Sequence, residues 1–299
     1  MKSKGPVYLA GPTAVGKSDL AVALAERLNG EIVSADAFQV YLGMDILTAK
    51  PDPATLQRVP HHLIGEIPLT ESFDVARYHA LATQRIAAIS ERGSTPIVVG
   101  GTGLYLRALT QGLAELPAPD EALRADLTAQ PLEQLLRRLD ELDPDAAQRI
   151  DRKNPRRVIR ALEVCLLTGR PFSSFREQWE QAPEVRAVFV NRNRDDLYRR
   201  IEERTVAMFG AGVVEEVRAI QEIGSTAAQA IGYRDIRAFI DGEGTSAECL
   251  ARIQQQTRNY AKRQLTWFRK ERHFQTVELG TKELLDAALE RVVTAIGKF

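Results

Sequence analysis

The sequence has 299 residues, of which 44% are hydrophobic and 27% are charged, and its 40 basic residues balance its 40 acidic residues. This composition indicates an ordinary folded globular protein and excludes a disordered chain. Because the net charge is zero, any nucleic-acid partner must be held by a local basic patch. Cys165 and Cys249 are too few for a disulfide framework or a thiolate zinc site. No run approaches the roughly 18 apolar residues of a membrane span, so we expect a cytoplasmic protein without membrane contact.

A phosphate-binding loop follows the first predicted strand, the apolar run at 7–10. The segment AGPTAVGKS, residues 10–18, has the glycine, lysine and serine spacing of a loop that opens a helix. In such a loop the backbone amides point inward, Lys17 reaches phosphate oxygens, and Ser18 can hold Mg²⁺. The sequence therefore predicts a site for two linked phosphates. The expected diphosphate-binding residues of the loop are Gly11, Pro12, Thr13, Ala14, Val15, Gly16, Lys17 and Ser18.

A second predicted strand, at 31–35, follows a helix at 17–28 and ends just before Asp36. In a parallel sheet, Asp36 would face the same crevice as the phosphate-binding loop. A carboxylate at this place can act as a general base. It can equally cap a turn, as aspartates at strand ends often do.

The third predicted strand, at 96–100, follows a helix at 74–92 and continues into Gly101 and Thr102. A nucleotide hydrolase with such a loop usually needs an acidic residue near this position to hold Mg²⁺. The sequence offers only backbone and a hydroxyl group here. This difference counts against an ATPase or GTPase.

Strand patterns are absent from 115–183, where leucines recur at helical spacing, as in 131–142. The α/β pattern then resumes with a strand at 186–191, a helix at 194–223 that is broken near Gly210 and Gly212, a helix at 246–271, a strand at 274–279 and a terminal helix from about 281. We therefore predict a P-loop NTPase-like α/β fold, with a parallel sheet flanked by helices. Residues 1–114 and 184–299 would form the discontinuous core domain with the catalytic site, and 115–183 a helical insertion domain.

Five segments together resemble the tRNA dimethylallyltransferase family, in order and over nearly the whole chain. They are AGPTAVGKS at 10–18, SADAFQVYLGMDILTAKP at 34–51, VVGGTGLY at 98–105, NPRRVIRALEV at 154–164 and AKRQLTWFR at 261–269. The resemblance implies transfer of a dimethylallyl group from dimethylallyl diphosphate to N6 of the adenine 3′-adjacent to the tRNA anticodon, with release of diphosphate. It also implies Mg²⁺ as cofactor, a monomer, and an insertion domain that grips the anticodon stem.

The resemblance also assigns roles to individual residues. It implies that Asp36 is the general base, that Thr102 hydrogen-bonds near the target adenine, and that Arg204 is a further diphosphate ligand. The implied tRNA contacts are Asp36, Ala37, Phe38, Gln39, Thr102, Arg124, Arg156, Arg157, Val158, Ile159, Arg160 and Arg263. From the residues alone, a basic helical segment is more often a solvated face than an RNA site.

Two positions depart from the family pattern. Ala37 stands where many relatives have serine, and Leu47 stands where glycine is usual. Neither position belongs to the phosphate-binding loop, so the departures concern rate and RNA preference more than reaction type.

Two other functions fit parts of the sequence. A phosphate-binding loop with a carboxylate at the next strand end also suits an ATP-dependent small-molecule kinase. The basic segments also suit a noncatalytic RNA-binding module that uses the fold as a scaffold. The basic segments argue against the kinase, and the intact loop with Asp36 argues against the module.

Overall fold

The computed structural model describes residues 5–179 and 185–297, and the following elements lie within these two ranges. The first part of the chain forms β1 (Val7–Ala10), α1 (Lys17–Leu28), β2 (Gly30–Ala35), α2 (Pro53–Arg58), β3 (His61–His62), α3 (Val75–Glu91), β4 (Thr95–Gly100) and α4 (Gly103–Gln111). Four helices follow: α5 (Glu121–Ala129), α6 (Leu132–Leu142), α7 (Pro144–Arg149) and α8 (Pro155–Thr168). The last part forms β5 (Arg186–Arg192), α9 (Arg194–Gly210), α10 (Val213–Ala219), α11 (Tyr233–Ile240), α12 (Ser246–Phe268), β6 (Gln275–Leu279) and α13 (Leu285–Ile296). Short 3₁₀ helices lie at Phe172–Trp179 and Ala227–Gln229.

The strands form one parallel sheet in the order β3-β2-β4-β1-β5-β6. Gly100 at the end of β4 is in register with Ala10 at the end of β1 and with Ala35 at the end of β2. The loops after these three strands therefore begin at the same edge of the sheet. This arrangement confirms the predicted parallel α/β fold, and it puts the phosphate-binding loop two strands from Asp36, roughly 10 Å at the usual strand spacing.

Both faces of the sheet are covered, as a parallel sheet requires. On one face, α1 and α13 pack on β1 and β5 through Leu9, Leu24 and Val292, which are fully buried. On the other face, α3 and α12 contribute Tyr78 and Phe268 to a second core cluster. The sheet edge that carries the loops is thereby held on a rigid base.

The chain divides into two compact units, Met1–Thr110 with Pro183–Phe299, and Gln111–Ala182. The sheet belongs to the first unit. In the second unit, α5, α6 and α8 pack around a leucine-rich core that contains Leu127, Leu135, Leu139 and Leu162. No helix among the described residues is long and apolar enough to span a membrane.

Candidate active site

The loop after β1 curls at the start of α1 in the way that a phosphate cradle requires. Ala14 and Gly16 have positive φ angles of 63° and 99°. Alternation between ordinary and left-handed backbone turns successive amides toward one concave side, which is an anion-binding arrangement. Left-handed backbone is unfavourable for alanine, so the loop needs support from outside.

Two arginines supply that support, and Arg200 also lines the cavity next to the loop. Arg200 Nε of α9 donates to the Ala14 carbonyl at 2.9 Å, and Arg192 Nε at the end of β5 donates to the Val15 carbonyl at 2.8 Å. These two hydrogen bonds hold the Ala14 and Val15 carbonyls and help to fix the conformation of the loop. Neither arginine was predicted from the sequence, since nothing in the local pattern distinguishes it from other arginines.

A buried glutamine joins the cradle to the loop after β4. The Gln264 side chain accepts from the Thr13 amide at 2.9 Å and donates to the Gly101 carbonyl, also at 2.9 Å. A Cβ atom at Gly101 would lie 2.1 Å from the Gln264 amide nitrogen, and one at Gly100 would lie 2.2 Å from the Ala35 carbonyl oxygen. No side chain fits at either position, so this strand end is closed to the carboxylate that a nucleotide hydrolase would place there.

Asp36 lies in the turn after β2, and its carboxylate is oriented by that turn. The amides of Phe38 and Gln39 donate to Asp36 Oδ1 at 2.9 and 3.2 Å. The capping role that the sequence left open is therefore present. Within the described residues both of these hydrogen bonds go to Oδ1, which leaves Oδ2 for an incoming group. The Ala37 amide, which directly follows Asp36 in the chain, donates to Thr102 Oγ1 at 3.2 Å.

Lys17 and Asp36 line one cavity of about 260 Å³ at this edge of the sheet. Burial lowers the pKa of Lys17 from 10.5 to about 7, although the negative charge of Asp36 acts in the opposite direction. The Lys17 ammonium donates to the Pro12 carbonyl at 2.7 Å. A cation held with so little water gains strongly from an anionic ligand.

Arg204 of α9 reaches the same cavity from the opposite wall. Its Nη2 donates to Thr13 Oγ1 at 2.7 Å, whereas its buried Nε has no hydrogen-bond partner among the described residues. Burial lowers the pKa of Arg204, and Asp36 partly offsets that effect. An unpaired, buried N–H of a guanidinium group is costly unless a ligand accepts from it, so the site is suited to an anion.

A second, more apolar cavity of about 80 Å³ adjoins the first. The two share Asp36, Arg204 and Tyr260 among their lining residues. The apolar part of the smaller cavity is formed by Phe38, Leu47, Met208, Ala230, Ile231 and Ile253. Burial, together with the charge of Asp36, raises the pKa of Tyr260, so its hydroxyl group stays protonated between the two cavities. Gln264 was not predicted as a site residue.

The other predicted residues of this unit lie around the cavity in different settings. Ala37 and Phe38 are partly buried, and Arg263 is exposed on α12 with its guanidinium 5.6 Å from the centre of the Tyr260 ring. The Gln39 side chain is engaged inside the protein, because its amide nitrogen donates to the Thr48 and Ala49 carbonyls at 3.3 and 3.1 Å. Ser18 is exposed at the start of α1.

The predicted contacts in the helical unit differ in exposure. Arg156 and Arg157 are exposed at the start of α8, whereas the side chains of Val158 and Ile159 are buried in the core of the unit. These two apolar side chains face the core because they continue the apolar stripe of α8. Their side chains therefore contribute little surface of their own, and a contact between these two residues and tRNA stays a prediction.

Arg124 and Arg160 are engaged with a buried carboxylate. Glu163 is completely buried and accepts from Arg124 at 2.7 Å and from Arg160 at 2.6 Å, both through Oε2. Burial raises the pKa of Glu163, but the hydrogen bonds from the two arginines outweigh this effect and leave the pKa below its ordinary value. The two arginines thus neutralise a charge inside the helical unit.

The fold and the site define the class: an α/β protein with a phosphate-binding loop whose cavity also holds a carboxylate and borders an apolar pocket. The family described as IPP transferase matches residues 39–271 of the sequence. The chain is 47% identical over 272 residues to tRNA dimethylallyltransferase 1 of Citrifermentans bemidjiense, covering 89% of each chain. It is 46% identical over 298 residues to the tRNA dimethylallyltransferase of Geobacter metallireducens, covering 96% of each. The chain belongs to the IPP transferase family.

Solved structures agree with this assignment. The crystal structure of the full-length tRNA isopentenylpyrophosphate transferase from Bacillus halodurans superposes with a TM-score of 0.72 at 38% identity, over 99% of this chain and 96% of that one. A eukaryotic dimethylallyltransferase acting on tRNA superposes with a TM-score of 0.84 at 25% identity, over 99% of this chain and 79% of that one. The family resemblance stated from the sequence motifs is confirmed.

Proposed function

We propose that the protein transfers the dimethylallyl group of dimethylallyl diphosphate to N6 of the adenine 3′-adjacent to the anticodon of tRNA, and releases diphosphate. The observation that carries the proposal is the single cavity lined by both Lys17 and Asp36. A leaving-group site and a proton acceptor then face the same space, which alkylation of a purine requires. The names of the relatives support the same activity.

The adjoining apolar cavity supports a prenyl diphosphate over a nucleoside triphosphate. Its volume of about 80 Å³ and its lining by Phe38, Leu47 and Met208 suit a short branched hydrocarbon. A polar ribose and base would leave their hydrogen-bonding groups unpaired there. The dimethylallyl tail would occupy this cavity while the diphosphate lies against the loop amides, Lys17 and Arg204.

The transfer step uses groups that the site already orients. The adenine N6 lone pair attacks C1 of the dimethylallyl group as the bond from C1 to the diphosphate oxygen breaks. Asp36 accepts the N6 proton, and Lys17, Arg204 and the loop amides stabilise the charge that develops on the departing diphosphate. The Thr102 hydroxyl group accepts from the Ala37 amide beside the Asp36 turn, and in this proposal it would also hydrogen-bond to the adenine. The adenine must leave its stack to enter, at a cost of a few kcal/mol.

The residues around Ser18 are compatible with an Mg²⁺ ion that is bound mainly by the phosphates of the substrate. Within the described residues no group of three or more His, Cys, Asp or Glu side chains could hold a metal. Mg²⁺ commonly binds through one or two protein oxygens, substrate phosphates and water. The exposed Ser18 hydroxyl group would be that protein oxygen, and the ion would add charge neutralisation for the leaving diphosphate.

Two exposed basic surfaces support RNA as the acceptor, one on each unit. On α12 and in the two residues that follow it, within the described part of the chain, Lys262, Arg263, Arg269 and Lys270 are exposed and form no ion pair with a described residue. At the start of α8, Arg156 and Arg157 are likewise exposed. Free cations of this kind bind phosphates and release counterions. The helical unit would thereby hold the anticodon stem.

The two cysteines are buried and free, which suits the reducing cytoplasm where tRNA is modified.

Prenyl transfer in vitro tests the proposal. The protein would be incubated with Mg²⁺, unmodified tRNA and dimethylallyl diphosphate labelled in its prenyl group. We expect label in the tRNA and one diphosphate released for each group transferred. Label that stays out of the tRNA at every protein concentration would refute the proposal. In parallel, ATP consumption without RNA would indicate a kinase, and tight tRNA binding without transfer would indicate a binding module.

A further inference from the structure

The loop 44–50 forms one wall of the active site. Thr48 and Ala49 line both cavities, and Leu47 lines the apolar one. Ala49 has a left-handed φ of 50°, which is unfavourable for alanine, and backbone hydrogen bonds within the loop and contacts from outside it offset that cost. Its position therefore determines the shape of the space that the donor occupies.

Glu216 of α10 binds this loop through both of its carboxylate oxygens. The Ile46 amide donates to Glu216 Oε1 and the Leu47 amide donates to Glu216 Oε2, each at 2.8 Å. The contact joins positions about 170 residues apart in the chain. Hydrogen bonds to an ionised acceptor are about twice as strong as neutral ones, and a two-point contact also fixes orientation.

Other contacts hold other atoms of the loop, among them backbone hydrogen bonds within it. Gln39 binds the carbonyls of Thr48 and Ala49, and the Thr48 hydroxyl donates to the Met44 carbonyl at 2.6 Å. Among the described residues, Glu216 is the side chain that accepts from the Ile46 and Leu47 amides. Loss of this carboxylate would leave two adjacent amides without their acceptor, next to the residue that closes the apolar cavity.

The neighbouring Glu215 provides a matched comparison within the same helical turn. Both glutamates lie in the first turn of α10, where a negative charge interacts equally well with the helix dipole. The Glu215 side chain is 68% exposed and faces Arg218 at 3.6 Å. The two residues share charge, helix and position along the axis, and they differ in the contact with the loop.

We propose that Glu216 is a positioning residue for the prenyl diphosphate donor, which fixes the loop 44–50 against both cavities. The proposal rests on the proposed function for the identity of the donor. It assigns to Glu216 a role in donor affinity and not in tRNA binding or proton transfer. At saturating donor concentrations the loop 44–50 returns to its position, because the bound donor itself holds it there.

The test compares Glu216→Ala, Glu216→Gln and Glu215→Ala with the wild type. Calorimetry would measure the Kd of dimethylallyl diphosphate with Mg²⁺, and steady-state assays would measure kcat and both KM values. For Glu216→Ala we expect the donor Kd and KM to rise by about tenfold or more, with kcat and the KM for tRNA within about twofold of the wild type. Glu216→Gln keeps one acceptor oxygen and should lie between. Glu215→Ala should match the wild type.

Hydrogen exchange at the Ile46 and Leu47 amides separates positioning from folding, because it reports on the loop even where a variant is less stable. We expect faster exchange at these two amides in Glu216→Gln and unchanged exchange across the sheet. Equal donor affinity in Glu216→Gln, Glu216→Ala and the wild type would overturn the inference, and so would a loss in kcat with unchanged donor Kd. Donor binding without prenyl transfer by the wild type would instead refute the proposed function, since the calorimetric comparison needs no turnover.

Discussion

Arginine residues serve opposite purposes in the two units of the molecule. At the sheet edge, Arg204 lines a cavity, and its Nε atom has no hydrogen-bond partner among the described residues. In the helical unit, Arg124 and Arg160 are paired with the buried Glu163. A cation that lines a cavity is available to an anionic ligand, whereas cations paired with a buried carboxylate offset the charge of that carboxylate. The partner of a charged side chain therefore indicates its role better than the residue type does.

The largest expected effect concerns the carboxylate of the cavity. Asp36→Ala removes the proton acceptor while the cradle remains intact. We expect kcat to fall by roughly 10² or more, which is the usual size of a general-base effect. Donor affinity, measured by calorimetry, should stay within a few-fold of the wild type. Turnover equal to that of the wild type would remove Asp36 from this role.

The next largest effect is expected from replacement of Arg204. Arg204→Lys keeps a positive charge but loses the planar guanidinium group, which lines the cavity and reaches Thr13. We expect donor affinity to fall about tenfold to a hundredfold, as for loss of one charge-assisted hydrogen bond. The matched variant Arg199→Lys lies on the same helix, with Arg199 about half exposed and bound to Asp196 and Glu203. It should bind donor like the wild type, and equal losses in both variants would contradict the assignment.

Lys17 should make donor binding depend on pH. Its pKa of about 7 means that the free enzyme loses the ammonium charge as pH rises above 7, while a bound diphosphate raises the pKa and restores the charge. Donor affinity should fall by up to about tenfold per pH unit above 7, with uptake of roughly one proton on binding at pH 8. Calorimetry in two buffers of different ionisation enthalpy measures that uptake. Lys17→Met should reduce it to the contribution of the donor phosphate alone, and equal uptake in both proteins would contradict the role of Lys17.

A smaller effect, on stability, tests the paired arginines. Glu163→Ala leaves Arg124 and Arg160 without their partner, and because both are partly exposed we expect a loss of about 1–3 kcal/mol in the free energy of unfolding. The Glu163 pKa is lowered in the folded state, so its contribution is present above the ordinary carboxyl range and is lost as pH falls through the folded value. Denaturant unfolding at neutral and acidic pH would measure both. A variant as stable as the wild type at neutral pH would contradict the account.

The smallest effect concerns the exposed arginines of the helical unit. Replacing Arg156 and Arg157 together with alanine should weaken tRNA binding by a few-fold. The dependence of binding on salt should fall by about one unit for each phosphate that the variant no longer neutralises. Arg152, exposed but paired with Asp140, provides the control variant Arg152→Ala. Filter binding at several salt concentrations gives both quantities. An unchanged salt dependence in the double variant would place the RNA elsewhere.

Local sequence patterns were sufficient for the framework of the fold. Alternating apolar runs and helical periodicity located the strands β1, β2, β4, β5 and β6 to within a residue or two. The two-residue strand β3, and the helices α2, α4 and α11, were not predicted. A strand of two residues has too few positions for a periodic pattern, and α4 and α11 follow glycine-rich loops that indicate turns.

The site was predictable only where its residues belong to motifs. Lys17 and Asp36 do line one cavity, as the strand order requires. Arg192, Arg200 and Glu216 were not predicted, because each acts on backbone atoms of a distant loop. Long-range contacts of this kind leave no periodic or local signal in one sequence. The paired state of Arg124 and Arg160 escaped prediction for the same reason, since it depends on the burial of Glu163.

The central claim is that the cavity lined by Lys17 and Asp36 brings prenyl donor and tRNA adenine together. Its most direct test is mass spectrometry of RNase fragments from tRNA treated with dimethylallyl diphosphate, Mg²⁺ and either wild type or Asp36→Ala. We predict one five-carbon addition, in the fragment that contains the adenosine 3′-adjacent to the anticodon, in the wild-type reaction and at most a trace with Asp36→Ala. Addition at another nucleotide, or equal addition by both proteins, would contradict the account.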